Sequence, residues 1–280
     1  MQCDGWIWRV LATGLALGLG LGLAAPLLAE EGRLRELATS DDAKGWEAVG
    51  RINLGAAGFC TGALIAPDLV LTAAHCLYDK ETGARVATDQ IEFLADWRNG
   101  RAVAYRQVKR AMQHPAYSYS GHDRIDRVPY DLALLELDQP IRLAKIKPFE
   151  IAARPAEGDV VGVVSYAQDR SEAPSFQDMC HVLGFRSGVL VLSCTVDFGA
   201  SGAPVFSVRD GVARIVSVVS AKAELGGENV ALSVDLTGAL DQLRAAMAGS
   251  EGGLHRTALG GGGPGNLGGS DTGGAKFVRP

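Results

Sequence analysis

From residue 46 onward, short apolar runs alternate with turn signals. FCTGALI (59–65), LVLT (69–72), LALLEL (132–137), VVGVV (160–164), GVLVLSC (188–194), APVFSV (203–208) and RIVSVV (214–219) are rich in Val, Ile and Leu. Pro67-Asp68, Glu157-Gly158-Asp159 and Arg209-Asp210-Gly211 punctuate them. Many short strands separated by turns predict an all-β sandwich or barrel. No long segment of 3.6-residue period lies between the strands, which argues against a parallel α/β sheet. One helix is predicted late in the chain, in VDLTGALDQLRAAMAG. There Leu236, Leu240, Leu243 and Met247 recur at helical spacing and form one apolar face for packing on the barrel.

The ends of the chain have a different texture. MQCDGWIWR carries one Arg and is followed by the uncharged run VLATGLALGLGLGLAAPLLA, with small residues at Ala24, Ala25 and Ala29. This pattern predicts a secretory signal peptide over 1–29, cleaved after Ala25 or Ala29. The run is about long enough to span a bilayer, so an uncleaved anchor is the alternative. Its glycines and its small-residue end favour cleavage, and the membrane is then met only transiently during export. Cys3 precedes the apolar run, which argues against lipid attachment there. Residues 30–45 are charged and read as a short helix or loose arm. From 249 to 280 the chain is glycine-rich with few apolar anchors, which predicts a disordered tail. The folded domain is therefore expected over 46–248.

The chain has 280 residues, 47% hydrophobic and 21% charged, a globular composition for one large domain or two small packed ones. Net charge is −5 with acids and bases interspersed, so no basic stripe supports a nucleic-acid partner. Removing the signal leaves Cys60, Cys76, Cys180 and Cys194. An even count in an exported chain suggests disulfides, and a secreted or periplasmic location. Three pairings are open. The simplest joins Cys60 to Cys76 and Cys180 to Cys194, each loop stabilising by about 3 kcal/mol in a chain-entropy account. A four-cysteine zinc site lacks any C-x-x-C pair, and no metal is expected.

The candidate chemistry centres on DFGASGAP, 197–204, where Gly199 and Gly202 flank Ser201. A serine hydroxyl becomes a good nucleophile only with a base in reach and a group that orients the base. Of five histidines, His75 follows a predicted strand and two alanines in LVLTAAHCLYD. A Cys60–Cys76 bond would clamp its backbone to the preceding strand. Taken alone, His75 is as readily structural as catalytic.

FCTGALIAPDLVLTAAHC resembles the histidine segment of the chymotrypsin-like (trypsin-like) serine peptidases. Gly62-Ala63-Leu64-Ile65 matches their glycine-then-aliphatic strand, and Thr72-Ala73-Ala74-His75-Cys76 their catalytic histidine with its disulfide cysteine. Asp131-Leu132-Ala133-Leu134-Leu135 resembles the catalytic aspartate at the head of an apolar strand, and DFGASGAPV the nucleophile loop. The resemblance covers 46–248 in the family's His, Asp, Ser order. It implies two packed six-stranded antiparallel barrels with a C-terminal helix. An α/β-hydrolase elbow also has GxSxG, but its histidine follows the serine, and the only later one here, His255, lies in the glycine-rich tail. The implied roles are Ser201 as nucleophile, His75 as general base and acid, and Asp131 as orienting carboxylate. The N–H groups of Gly199 and Ser201 would form the oxyanion hole. The resemblance implies a protein or peptide substrate, no cofactor, and a monomer as the expected state.

Departures from the family are informative. Many members carry an aspartate before the serine that pairs with a newly released N-terminus, but here that position is Ala200. Val49-Gly50 offers only a weak imitation of an activation motif. This resembles the bacterial glutamyl-endopeptidase-like branch, without that activation switch. By the same analogy the substrate pocket is lined by Thr195, Ser217, Val218 and Val219. None is a carboxylate for a basic substrate side chain, and none is the histidine of the glutamyl-specific branch. A small or apolar side chain before the scissile bond is the remaining expectation. Ser217 is the strand serine expected to bond the catalytic Asp. His114, His122 and His181 receive no catalytic role, and 117–130 is expected to be an exposed loop rimming the cleft. A non-catalytic binding protein on a protease scaffold, or a small-ester hydrolase, are the rival functions.

Overall fold

The computed structural model describes residues 34–119 and 125–259, with side chains described as far as Ser250. The predicted signal peptide, His122 and the tail from 260 lie outside the described residues. The described residues open with β1 (Leu34–Glu36), and a first barrel follows. Its strands are β2 (Val49–Leu54), β3 (Phe59–Ala66), β4 (Leu69–Thr72), β5 (Ile91–Ala95), β6 (Ala104–Gln113) and β7 (Ala133–Leu137). They close in the order β2-β3-β4-β7-β6-β5. The second half contains β8 (Val160–Ala167), β9 (Arg170–Arg186), β10 (Val189–Leu192), β11 (Pro204–Arg209), β12 (Val212–Leu225) and β13 (Glu228–Asp235). These run β9-β10-β13-β12-β11-β8, and β8 pairs back onto β9 to close the ring. Closure leaves few unpaired strand edges, which is how all-β domains avoid edge association.

The apolar runs become strands because each buries Val, Ile and Leu where two layers meet. One continuous core joins the halves, with Ile52, Leu64, Phe93 and Leu134 from the first and Tyr166, Phe206, Ile215 and Val218 from the second. Trp46 anchors this seam. Its ring lies 4.8 Å from Phe176 and 4.9 Å from Phe206, and Phe149 lies 4.6 Å from Phe206. Aromatic pairs at such spacing add stabilisation beyond their buried area. Disulfides join Cys60 to Cys76 and Cys180 to Cys194.

The predicted late helix is α1 (Ala239–Leu259), which runs past the expected start of the tail at 249. Leu236, Leu240, Leu243 and Met247 are all buried, against β6 and β7. Arg110 donates from β6 to the Met247 carbonyl at 3.0 Å and to Ser250 Oγ at 2.8 Å.

The arm differs from the short helix or loose segment expected over 30–45. Leu34–Glu36 pairs antiparallel with Ser175–Gln177 of β9, and Leu37 N–H donates to Pro174 O at 2.8 Å. Thr39 and Asp42 then close a turn, with the Thr39 hydroxyl 2.6 Å from the Asp42 carboxylate. Leu37 is fully buried in the main core. Leu37 is the leucine of this arm that is buried, while Leu34 stays exposed, and the burial of Leu37 docks the arm. Leu37→Ala is expected to lower unfolding free energy by about 2–5 kcal/mol, the range for a buried leucine, measured by urea denaturation.

Candidate active site

The site lies where the two barrels meet. β4 ends at Thr72, and Ala73 and Ala74, both fully buried, leave room for a tight 3-10 turn, Ala74–Leu77, that carries His75. The Cys60–Cys76 bond ties this turn to β3. Asp131, almost fully buried, stands at the head of β7. Its carboxylate accepts from the His75 backbone N–H at 2.8 Å and faces Nδ1 at 2.6 Å. Ser220 Oγ donates to the same carboxylate at 2.5 Å. Burial alone would raise the Asp131 carboxyl. The His75 imidazole and the hydrogen bonds from His75 and Ser220 outweigh burial and hold it below its usual value of 3.8. An ionised Asp131 makes Nδ1 the protonated nitrogen, so Nε2 is left with its lone pair.

The Ser201 loop is fixed by its carbonyls. The Phe198 carbonyl accepts from Gln168 N–H at 2.7 Å, and the Ala200 carbonyl from Ala203 N–H at 3.0 Å. In a planar trans peptide the N–H points opposite to the C=O. Anchoring those two carbonyls therefore turns the N–H groups of Gly199 and Ser201 the other way. Among the described residues neither N–H has a hydrogen-bond acceptor. Gly199 and Gly202 have φ of 97° and 77°. A Cβ on Gly199 would press on the Phe59 ring, and one on Gly202 would overlap Thr72 Oγ1 and the Thr61 carbonyl. Glycine is required at both points by conformation and by space.

Thr61, on β3, holds this loop from the other barrel. Its Oγ1 donates to Gly199 O at 2.8 Å and accepts from Tyr166 N–H at 3.0 Å. Its N–H donates to Ser201 O at 2.9 Å, and its carbonyl accepts from Thr72 Oγ1 at 2.8 Å. The sequence reading missed Thr61. A threonine inside an apolar strand was its only signal.

His75 and Ser201 line one small cleft, about 90 Å³, together with Val196, Asp197, Phe198 and Lys80 from loops and Val219 to Lys222 from β12. Three expected pocket residues stand elsewhere. Thr195 lies outside the cleft, with its N–H on the Gln177 side-chain oxygen at 3.0 Å. Ser217 is buried and donates to Val234 O at 2.6 Å, so it does not reach Asp131. Val218 points into the main core. Only Val219 of the four lines the cleft. On β12 the pairing with β13 shifts register between Val219 and Ala221, which leaves Ser220 unpaired. A bulge re-aims a side chain and defeats plain alternation. Ser220 thereby takes the position expected for Ser217.

Ala200 is fully buried with Val161, Cys194 and Val205 of the second barrel's core. Val49 is also fully buried, and its N–H donates to Trp46 O at 2.8 Å within the continuous chain. His114 is buried and stacks on Tyr130, with ring centroids 5.4 Å apart, away from the cleft.

Two closed antiparallel barrels with a serine, a histidine and a buried aspartate at their junction define the chymotrypsin-like architecture. The chain belongs to the Trypsin family, whose profile matches residues 39–185, more than half of its length. That match ends before Ser201. It is 27% identical over 150 residues to a glutamyl endopeptidase of Bacillus licheniformis, covering 53% of this chain and 45% of that one. It is 31% identical over 148 residues to a trypsin of Simulium vittatum, covering 47% and 55% respectively. These matches thus span about half the length of the curated relatives. A solved structure of Glu endopeptidase in complex with MPD superposes with a TM-score of 0.61 at 19% identity, over 78% of this chain and 98% of that one. This likeness supports the same fold.

Two measurements test the geometry. Thr61→Val removes a hydroxyl that serves one acceptor and one donor, and is expected to reduce stability by about 1–3 kcal/mol in urea denaturation. The Asp131 carboxyl is held below its ordinary value of 3.8, so its stabilisation is present above that pH and disappears as pH falls through the lower folded value. The Asp131 contribution should therefore be constant above about pH 5, and unfolding free energy should drop as pH falls from there through 3.8 and below, less steeply in Asp131→Asn.

Proposed function

We propose that the chain is an exported serine endopeptidase that hydrolyses peptide bonds through an acyl-enzyme. One observation carries this reading. His75, whose imidazole faces one oxygen of Asp131 and whose backbone N–H donates to the other, shares a cleft with Ser201, whose loop presents two N–H groups without an acceptor among the described residues. Ser201 Oγ attacks the scissile carbonyl while His75 Nε2 takes its proton. His75 then delivers that proton to the leaving amine, and Asp131 stabilises the imidazolium. The N–H groups of Gly199 and Ser201 stabilise the oxyanion, and each such donor is worth about a hundredfold or more in rate. Water then attacks the acyl-enzyme by the same steps, releasing the acid and regenerating Ser201.

Membership in the trypsin family and the likeness to an endopeptidase support the peptidase reading. Two disulfides suit an oxidising compartment, secreted or periplasmic. The buried Ala200 suits a site that needs no ion pair with a processed N-terminus. The cleft is small and walled by Val196, Val219 and Ala221, which favours a small or apolar residue before the scissile bond. The curated relative is named for glutamyl bonds. Among the described residues His75 is the one histidine lining this cleft, so a glutamyl preference would need other residues.

Fluorophosphonate labelling of the mature protein, followed by turnover of peptide amides, tests the reading. Labelling should vanish in Ser201→Ala, and amide turnover should fall about ten-thousandfold in Asp131→Asn, the scale for a mis-set histidine tautomer. Folded, disulfide-intact protein that neither labels nor cleaves amides would leave the binding-protein alternative. Ester turnover without amide turnover would assign a small-ester hydrolase.

A further inference from the structure

The mouth of the cleft carries two ammonium groups on one ring. Phe198, next to Gly199, is 60% exposed. Lys80 Nζ lies 5.0 Å from its ring centroid and Lys222 Nζ 5.5 Å. Lys80 comes from the loop after the His75 turn, and Lys222 from β12 two residues after Ser220, so the pair spans the two barrels. Both line the cleft that holds His75 and Ser201. An exposed phenylalanine between two lysines is held by cation–π attraction, which also limits where the flexible ammonium groups go.

The charges at this mouth are not balanced. Lys222 has Asp197 at 3.6 Å, whereas Lys80 forms no ion pair among the described residues. Asp79 and Glu81 flank Lys80 in the chain but do not line the cleft, and the Asp79 carboxylate accepts from Glu81 and Thr82. Asp131 is buried behind His75 and already bonded to His75 and Ser220. A ligand entering the cleft thus meets two cations and one exposed carboxylate. Lys222 can exchange Asp197 for a ligand carboxylate, and Lys80 can accept one outright.

We propose that Lys80 and Lys222, pinned on Phe198, form a carboxylate-binding subsite at the mouth of the catalytic cleft. It selects peptides with an acidic side chain at a position other than the small or apolar one immediately before the scissile bond. The proposal rests on the peptidase reading for its meaning, but it concerns binding and is tested without turnover. It also uses none of the residues that a glutamyl-specific pocket histidine would supply. The pair is partly open to water, so a modest, salt-sensitive preference follows rather than an absolute requirement.

The test uses Ser201→Ala protein and labelled alanine-rich peptides of about ten residues. Each carries either Glu or Gln at one of successive positions, and fluorescence anisotropy reads affinity. At one or more positions Glu is expected to bind about fivefold tighter than Gln at low salt, with the ratio falling as salt rises. That ratio should fall to near one in K80Q/K222Q and persist in K80R/K222R. Equal affinity for Glu and Gln at every position, no binding of either, or a ratio unchanged in K80Q/K222Q overturns the subsite. Fluorophosphonate labelling of the wild type reports separately on the peptidase reading, so the two can fail independently.

Discussion

The site depends on one buried residue whose hydrogen bonds tie the two barrels together. Thr61 belongs to β3 of the first barrel, yet its hydroxyl and N–H hold the Gly199 and Ser201 carbonyls of the second. Through its own carbonyl it also grips Thr72, where the chain leaves β4 toward His75. The strand that ends at the base and the loop that carries the serine are thus referenced to the same backbone atoms. Side-chain hydrogen bonds inside a buried seam are strong because water cannot compete, and costly to leave unmade for the same reason. Relative placement of two half-sites on two barrels would otherwise rest on apolar packing alone, which is non-directional.

The packing supplies the coarse part of that placement. Trp46, Phe149, Phe176 and Phe206 gather residues from the segment before β2, the linker between barrels, β9 and β11. They fix the barrels against each other, and Thr61 sets the finer alignment. Docking of Leu34 to Leu37 along β9 extends the same core outward. The segment before the first barrel is therefore built into the frame that carries the site.

Much of this was legible in the chain because the signals were local. TAAHC, Asp131 before an apolar strand, and glycines around Ser201 each announce a backbone shape as well as a chemistry. Strand positions and the apolar face of α1 followed from period. Three features did not. Leu37, with Leu34 three residues before it, fits a helical period as well as a strand, and its burial depends on a surface formed by residues far along the chain. Ser217 and Ser220 fall on opposite faces by alternation, but which of them reaches Asp131 shows only in the folded, bulged pairing with β13. Lys80, Asp197, Phe198 and Lys222 are separated by up to 142 positions, and only folding brings them to one opening. Polar residues in apolar strands, such as Thr61, were the most informative signals left unused.

Ala200 bears on time as well as on shape. Its methyl group sits in the core beneath the serine loop, among residues that pack whenever the second barrel packs. Nothing in that arrangement waits for a later covalent event. The loop acquires its form in the same cooperative transition that closes the barrel, so no folded but unassembled reservoir is built into this position. On the proposed peptidase reading, this position therefore asks for no chain scission before the serine loop can form.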